Sequence, residues 1–359
     1  MIKSYQTIIL LIVGTGKGET DRADKGGTHM MTRKENMLAI YRHLPHDHIG
    51  SHRDLGSVGG DAEEFENGPR GGSGGLDWFG MVWSRTASGY GGGTPAPGRA
   101  LLPDVTEWKK YVRFPDITKY DWAAQAREQL PRVDRDAQLI DYGCWNGPFL
   151  RLVDMMTMVE GLCALVEEPE ACEELLTAIT DYRIETLPYI KKYFDPDIIT
   201  LYDDFAHERG LFVSPDTYAD LIAPQHKRWC DAVRSYGIIP DMHVCGKPER
   251  VVPSFPDEGF EAWQIVQQEN DIIALQKAVG DRLAFIGCMD MQAKWLRPGQ
   301  IPTEEELRAK VREAIDRYGP GGNIAIQGII AHPAVDFRRV GAILHDEIVK
   351  YGTGYYRNL

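Results

Sequence analysis

The 359-residue chain has no C-x-x-C pair among its six cysteines, no block of basic residues and no long apolar run. Each absence removes a class of function. Without paired cysteine spacing, a zinc ribbon, a dithiol redox site or a disulfide framework is not expected, and a reducing, cytoplasmic setting follows. With 40 Lys+Arg against 53 Asp+Glu the formal charge is −13, and sequence-independent nucleic-acid binding lacks the cations whose counterion release would drive it. The apolar run Ile8–Val13 is far too short to cross a bilayer, and no small-residue cleavage site follows it, so neither a membrane span nor a secretory signal is expected. What is present is 43% apolar residues, enough to fill the core of one large α/β barrel or of two ordinary domains.

Residues 1–29 are polar after that run and lack periodicity, which predicts a flexible extension preceding a single domain over 30–359. Gly14-Thr15-Gly16-Lys17 is not a phosphate loop, because Leu11 stands where the first glycine is required and Gly18 follows the lysine. From Gly56 to Gly98 there are 14 glycines, interleaved with Phe65, Trp78, Phe79, Trp83 and Tyr90. Long irregular segments inside compact domains are usually binding loops, so this one is assigned to the mouth of a site, with Trp78 and Trp83 as candidate substrate contacts. The alternative is a loop whose aromatics plug the core.

Beyond residue 100 the pattern alternates strand and helix. Strands are expected at Gln138–Tyr142, Ile198–Tyr202, Ile238–His243, Ala262–Val266, Leu283–Gly287 and Asn323–Ile326. Ser214 and Pro215 open a helix ending near Gly237, in which Pro224 predicts a kink. Thr303 and Glu306 form a capping box ahead of Leu307, Val311, Ala314 and Ile315, and a last helix carries Val340, Ile343, Leu344 and Ile348. Alternation of buried strands with helices implies a parallel sheet, and the number of units favours a closed (β/α)8 TIM barrel over an open doubly wound sheet.

In such barrels the chemistry lies at the carboxyl ends of the strands. In Asp241-Met242-His243-Val244-Cys245-Gly246, His243 and Cys245 share one face of a strand and point into the mouth, with Met242 and Val244 toward the helices. Imidazole and thiolate are good zinc ligands, but a catalytic zinc normally takes three protein ligands. Cys288, at the end of a later strand, is the preferred third donor, with His332 as the other candidate. Tyr202-Asp203-Asp204 ends another strand. Adjacent acids diverge, so one of Asp203 and Asp204 is expected to be catalytic. Tyr202, Gln264, Gln267 and Asp290 complete the candidate substrate contacts.

Taken in order, MTRKENMLAIYRHLPHD near residue 31, LYDDFAHERGLFVSPDTYADLIAPQHKRW from 201, MHVCGKPERVVPSFPDEGFEAWQIVQ from 242, DRLAFIGCMDMQ from 281 and YGPGGNIAI from 318 resemble the uroporphyrinogen decarboxylase superfamily. The resemblance implies a (β/α)8 barrel and one of two chemistries. Porphyrinogen decarboxylases carry an arginine-rich R-Q-A-G-R type segment, which is absent here. The cobamide-dependent methyltransferases hold zinc by H-x-C and a further Cys after the last strand; His243 and Cys245 match the first part, and Ala325–His332 contains no cysteine. Gly75–Gly80 resembles a subgroup in anaerobic bacteria associated with methyl transfer from methoxylated or methylated small molecules, and aromatic walls suit an aryl methyl ether or a corrinoid ring.

The resemblance therefore implies a methyltransferase using zinc and a corrinoid carried by a partner protein, because the chain has no D-x-H-x-x-G signature of its own; a homodimer is also compatible. A cofactor-free decarboxylase of a porphyrinogen-like polycarboxylate, with Asp203 or Asp204 stabilising a protonated ring nitrogen, is the second expectation. A barrel that only binds a small ligand is the third.

Overall fold

The computed structural model describes residues 30–59, 75–85, 93–297, 299–330 and 335–359. The chain divides into a unit of residues 1–30 and a unit Met31–Leu359, and the second is described below. The expected extension and the Gly14–Lys17 turn lie outside the described residues, as do Phe65, Tyr90 and His332.

Its strands are β1 (Gly50–Ser51), β2 (Leu55–Gly59), β3 (Gly75–Leu76), β4 (Val82–Arg85), β5 (Gly93–Pro95), β6 (Leu139–Cys144), β7 (Ile198–Tyr202), β8 (Ala206–His207), β9 (Gly210–Leu211), β10 (Ile239–His243), β11 (Ala262–Val266), β12 (Ala284–Gly287) and β13 (Ile324–Ile326). Eight of them form one parallel sheet in the order β1-β13-β12-β11-β10-β7-β6-β2. Its edge strands, β1 and β2, are joined only by the short turn His52–Asp54. Four residue steps span at most about 14 Å, so the sheet must curl until its edges meet. This is the (β/α)8 TIM-barrel fold, and the six expected strands form its wall together with β1 and β2.

Alternation of side chains sorts the wall into two cores. Leu139, Ile198, Ile239, Ala262, Ala284, Ile286 and Ala325 pack inside the barrel with Met37, Ile40 and Tyr41 of the helix Arg33–Tyr41, which closes the bottom. That helix starts at a Thr32–Glu35 capping box. A Cβ on Gly50 would stand 2.7 Å from Ile40 Cδ1 and 2.8 Å from the Ala325 methyl, so only glycine lets β1 run beside the plug. The opposite faces, among them Ile140, Ile199, Met242, Trp263, Phe285 and Ile324, join the larger core under the outer helices.

At Pro224 the expected kink takes the form of a π-helical stretch, Tyr218–Ile222, leading into the helix Ala223–Ser235. Proline has no N–H for the carbonyl four residues back and its ring crowds it, and a wider turn relieves both. The glycine-rich insertion contributes a small antiparallel sheet, β3-β4-β5, which the sequence pattern did not reveal. No described helix is long and apolar enough to cross a membrane.

Candidate functional site

Ile239 lies in the inner core and Met242 and Val244 in the outer one, so Asp241, His243 and Cys245 fall on the inward parity of β10 and the residues after it. His243 Nε2 lies 3.6 Å from Cys245 Sγ. Asp204, just beyond β7, accepts the Cys245 N–H at 2.8 Å. One donor atom from each of Asp204, His243 and Cys245 lies within 4.8 Å of the others, and all three residues are half-buried. Burial, and then the neighbouring Asp204 carboxylate, push the Cys245 thiol well above its usual range. A carboxylate crowded against a thiol that resists ionising is a pair a divalent cation relieves, by replacing the thiol proton.

The Tyr202 ring stacks on His243 at 4.2 Å between centroids, and Trp145 packs on Tyr202 at 3.7 Å. These are the aromatic groups beside the cluster. His52, in the turn between β1 and β2, also belongs here. Gly50 is inward and Ser51 bonds the outer-helix His345 at 3.0 Å, so His52 returns toward the interior, where it senses His243 electrostatically. Burial, then the neighbouring His243 and Arg53, lower its pKa to about 4, which keeps the imidazole neutral. Gln327, on the inward parity after β13, is buried, and its Oε1 has no hydrogen-bond partner among the described residues. The sequence reasoning missed Trp145, His52 and Gln327; Trp145 and Gln327 stand just past the ends of strands that the sequence did reveal, whereas His52 opens the 3-10 turn after the short β1.

Below the cluster lies a buried polar layer. Asp241 Oδ2 accepts from Gln264 Nε2 at 2.6 Å and Tyr41 Oη at 3.0 Å and lies 3.3 Å from Thr200 Oγ1, whose hydroxyl donates to Asp141 at 2.7 Å. Burial, then the nearby Asp141 charge, push Asp241 up to about 8, and burial pushes Asp141 up to about 6. The native Asp241 carboxyl thus keeps its proton where the unfolded one has lost it. Its contribution to stability is greatest below about pH 4 and is lost as pH rises toward 8. Asp241→Asn, which retains an oxygen for the Gln264 and Tyr41 donors, is expected to flatten the fall in melting temperature across that window. A variant slope equal to that of the parent would refute the assignment.

Several sequence expectations are corrected. Cys288 does not join the cluster. The parity of Ala284 and Ile286 would turn it inward, but Gly287 and Cys288 have φ of 139° and 60°, and this left-handed turn swings the side chain into the outer core. There it is fully buried, near enough to Tyr318 and Tyr356 to perturb them, and burial drives its thiol far up.

Asp203 is buried and accepts the Phe149 and Leu150 N–H groups at 3.2 and 2.7 Å, so it caps the helix Pro148–Met156 rather than facing the mouth. A Cβ on Gly147 would lie 2.5 Å from Asp203 Cγ, so the approach requires glycine. Trp83 is buried with its N–H on Asp77 at 2.9 Å, so it plugs the core, whereas Trp78 packs edge-on against Tyr120 and stays half-buried. Gln264 is committed to Asp241 and Thr200, and Gln267 Oε1 holds the Gly246 N–H at 2.6 Å. Asp290 receives the Lys294 N–H at 2.7 Å and lines a separate cavity of about 130 Å³ with Trp295, Lys310 and Glu313.

The fold and these residues can be set beside known proteins. A methyltransferase from Methanosarcina mazei has the same fold, with a TM-score of 0.62 at 16% identity over 89% of this chain and 99% of its own. Two curated relatives point to different chemistries. The methylcobamide:CoM methyltransferase MtaA of Methanosarcina barkeri is 24% identical over 197 residues, 54% of this chain and 55% of the relative. The uroporphyrinogen decarboxylase of Methylococcus capsulatus is 25% identical over 207 residues, 54% of this chain and 53% of the relative. The chain thus spans about half the length of the curated relatives it matches. A family model, uroporphyrinogen decarboxylase (URO-D), matches residues 91–345, more than half of the sequence. The chain belongs to the uroporphyrinogen decarboxylase (URO-D) family.

Proposed function

We propose that this protein is a methyltransferase that moves a methyl group between a corrinoid and a small methylated compound or thiol, with zinc held by Asp204, His243 and Cys245. The observation that carries the reading is the convergence of these three donors within 4.8 Å at the barrel mouth. One carboxylate, one imidazole and one thiolate match the borderline-soft character of zinc, and three protein ligands leave a coordination position for substrate. Zinc would supply Lewis acidity there, favouring thiolate over thiol or stabilising a departing oxygen.

The chain's own groups do the rest. Tyr202 and Trp145 present an apolar wall that orients a flat or methyl-bearing substrate and excludes water. His52 makes no hydrogen bond among the described residues, so its neutral ring can hydrogen-bond a substrate sulfur or a leaving oxygen. Gln327 Oε1 is a buried acceptor available to a polar substrate group. The corrinoid would arrive on a partner protein, and the setting would be cytoplasmic.

Support for this reading over decarboxylation is where the arginines near the start of the domain lie. A polycarboxylate needs inward cations at the mouth, whereas Arg33 and Arg42 flank the helix that closes the bottom and are paired with Asp54 at 2.7 Å and Glu261 at 3.3 Å. The test is metal analysis of protein purified without chelator, combined with methyl transfer assays using cob(I)alamin with methoxylated aromatics and methylcobalamin with thiols. Stoichiometric zinc and transfer in one assay are expected. Metal-free protein that instead turns over a porphyrinogen would replace the proposal with the decarboxylase.

A further inference from the structure

The two acids that follow β7 have different surroundings, and the difference extends through the barrel wall. Asp203 is fixed on every side. Its carboxylate takes two N–H groups from the helix Pro148–Met156 and a contact from His226 Nε2 at 2.9 Å, and its backbone N–H donates to the His243 carbonyl at 3.0 Å. His226 is fully buried, and its other nitrogen, Nδ1, faces Glu258 Oε2 at 3.2 Å. Glu258 is held in turn by Tyr218 Oη at 2.8 Å and Ser254 Oγ at 2.6 Å.

Burial alone would strip the proton from His226, but the hydrogen bonds and charges of Asp203 and Glu258 overcome it and raise its pKa to about 9. The chain Tyr218–Glu258–His226–Asp203 is therefore a buried imidazolium between two carboxylates, the inner one seated on a helix N-terminus.

None of these four groups is a donor in the cluster, and the chemistry proposed above uses none of them. Their effect is on orientation. With the Asp203 side chain locked outward and its N–H tied to the residue that carries the imidazole, the next side chain emerges on the other face. There Asp204 meets the Cys245 N–H at 2.8 Å. We propose that His226 and Glu258 are positioning residues that act through Asp203 to hold Asp204 in register with His243 and Cys245. The inference rests on the reading of Asp204 as a metal ligand. Outer partners that orient ligands typically contribute roughly 10–100-fold to metal affinity.

Two variants test it. His226→Gln removes the central charge. Glu258→Gln acts at the outer end, where Glu258 lines a cavity of about 560 Å³, so the substitution needs no repacking of the core. Three quantities are read for each: zinc affinity by chelator competition, the absorption spectrum of the Co(II)-substituted protein, and the alkylation rate of Cys245 in metal-free protein by peptide mass spectrometry. Zinc affinity is expected to fall roughly 10–100-fold, with a weakened thiolate-to-cobalt band and an alkylation rate changed several-fold.

A lowered melting temperature with all three readouts at parental values would overturn the proposal and leave the chain a purely structural role. If the parent protein itself binds no zinc, the metal reading fails, and the Cys245 rate decides the positioning role independently. If His226→Gln does not fold, Glu258→Gln decides.

Discussion

Replacement of Cys245 by alanine is expected to strip zinc from the purified protein and to reduce methyl transfer to background, whereas Cys288→Ala should leave both intact. A site with three protein ligands that loses its thiolate keeps only Asp204 and His243, one carboxylate and one imidazole. Two such ligands hold zinc weakly, and the loss should exceed the roughly 10–100-fold cost of removing an outer partner. Asp204→Asn should fall between the two variants, because an amide oxygen can still approach the ion but brings no charge. Zinc content by elemental analysis and affinity by competition give the order directly. Retention of zinc by Cys245→Ala, or its loss from Cys288→Ala, would reverse the assignment of the third ligand.

That contrast between Cys245 and Cys288 also shows where sequence reasoning holds and where it fails. The barrel was legible because its wall is built from strands buried on both faces, separated by helices with ordinary caps; side-chain parity then sends His243 and Cys245 inward. Parity fails at Cys288 because Gly287 and Cys288 leave the extended region, and φ is not written in the hydrophobic pattern. The first strand escaped notice because β1 has two residues and β2 five, interrupted by a 3-10 turn in a stretch rich in Gly and Ser. His52 was hidden with it. The division of labour between Asp203 and Asp204 was expected in kind but not in direction, because it depends on His226, more than twenty residues away and partnered only through the tertiary fold. Trp78 and Trp83 resembled a substrate wall because exposure cannot be read from composition; the partner that draws Trp83 inward, Asp77, lies six residues from it.

Asp77 carries the second large expected effect. Its Oδ2 accepts from Arg151 Nη1 at 2.8 Å and Trp83 Nε1 at 2.9 Å, and its Oδ1 accepts the Met81 N–H at 2.9 Å. The side chains of Arg151 and Asp77 are 0% and 1% exposed, and the guanidinium also lies 4.5 Å above the Phe79 ring. Removing one member of such a pair leaves a charge in the core without its counter-ion, which costs about 3–5 kcal/mol, whereas replacing both members with apolar residues of similar size is often close to neutral. Asp77→Ala should therefore lower unfolding stability by about 3–5 kcal/mol, and Asp77→Leu combined with Arg151→Met should recover most of it, both read from urea midpoints at constant slope. Arg151 belongs to the helix Pro148–Met156 that Asp203 caps, so this pair fastens the insertion to the element behind the Asp204–His243–Cys245 cluster. Zinc affinity should change much less than stability in the double variant. A loss below about 1 kcal/mol for Asp77→Ala would mean that the aromatic packing of Phe79 and Trp83, and not the ion pair, holds the insertion in place.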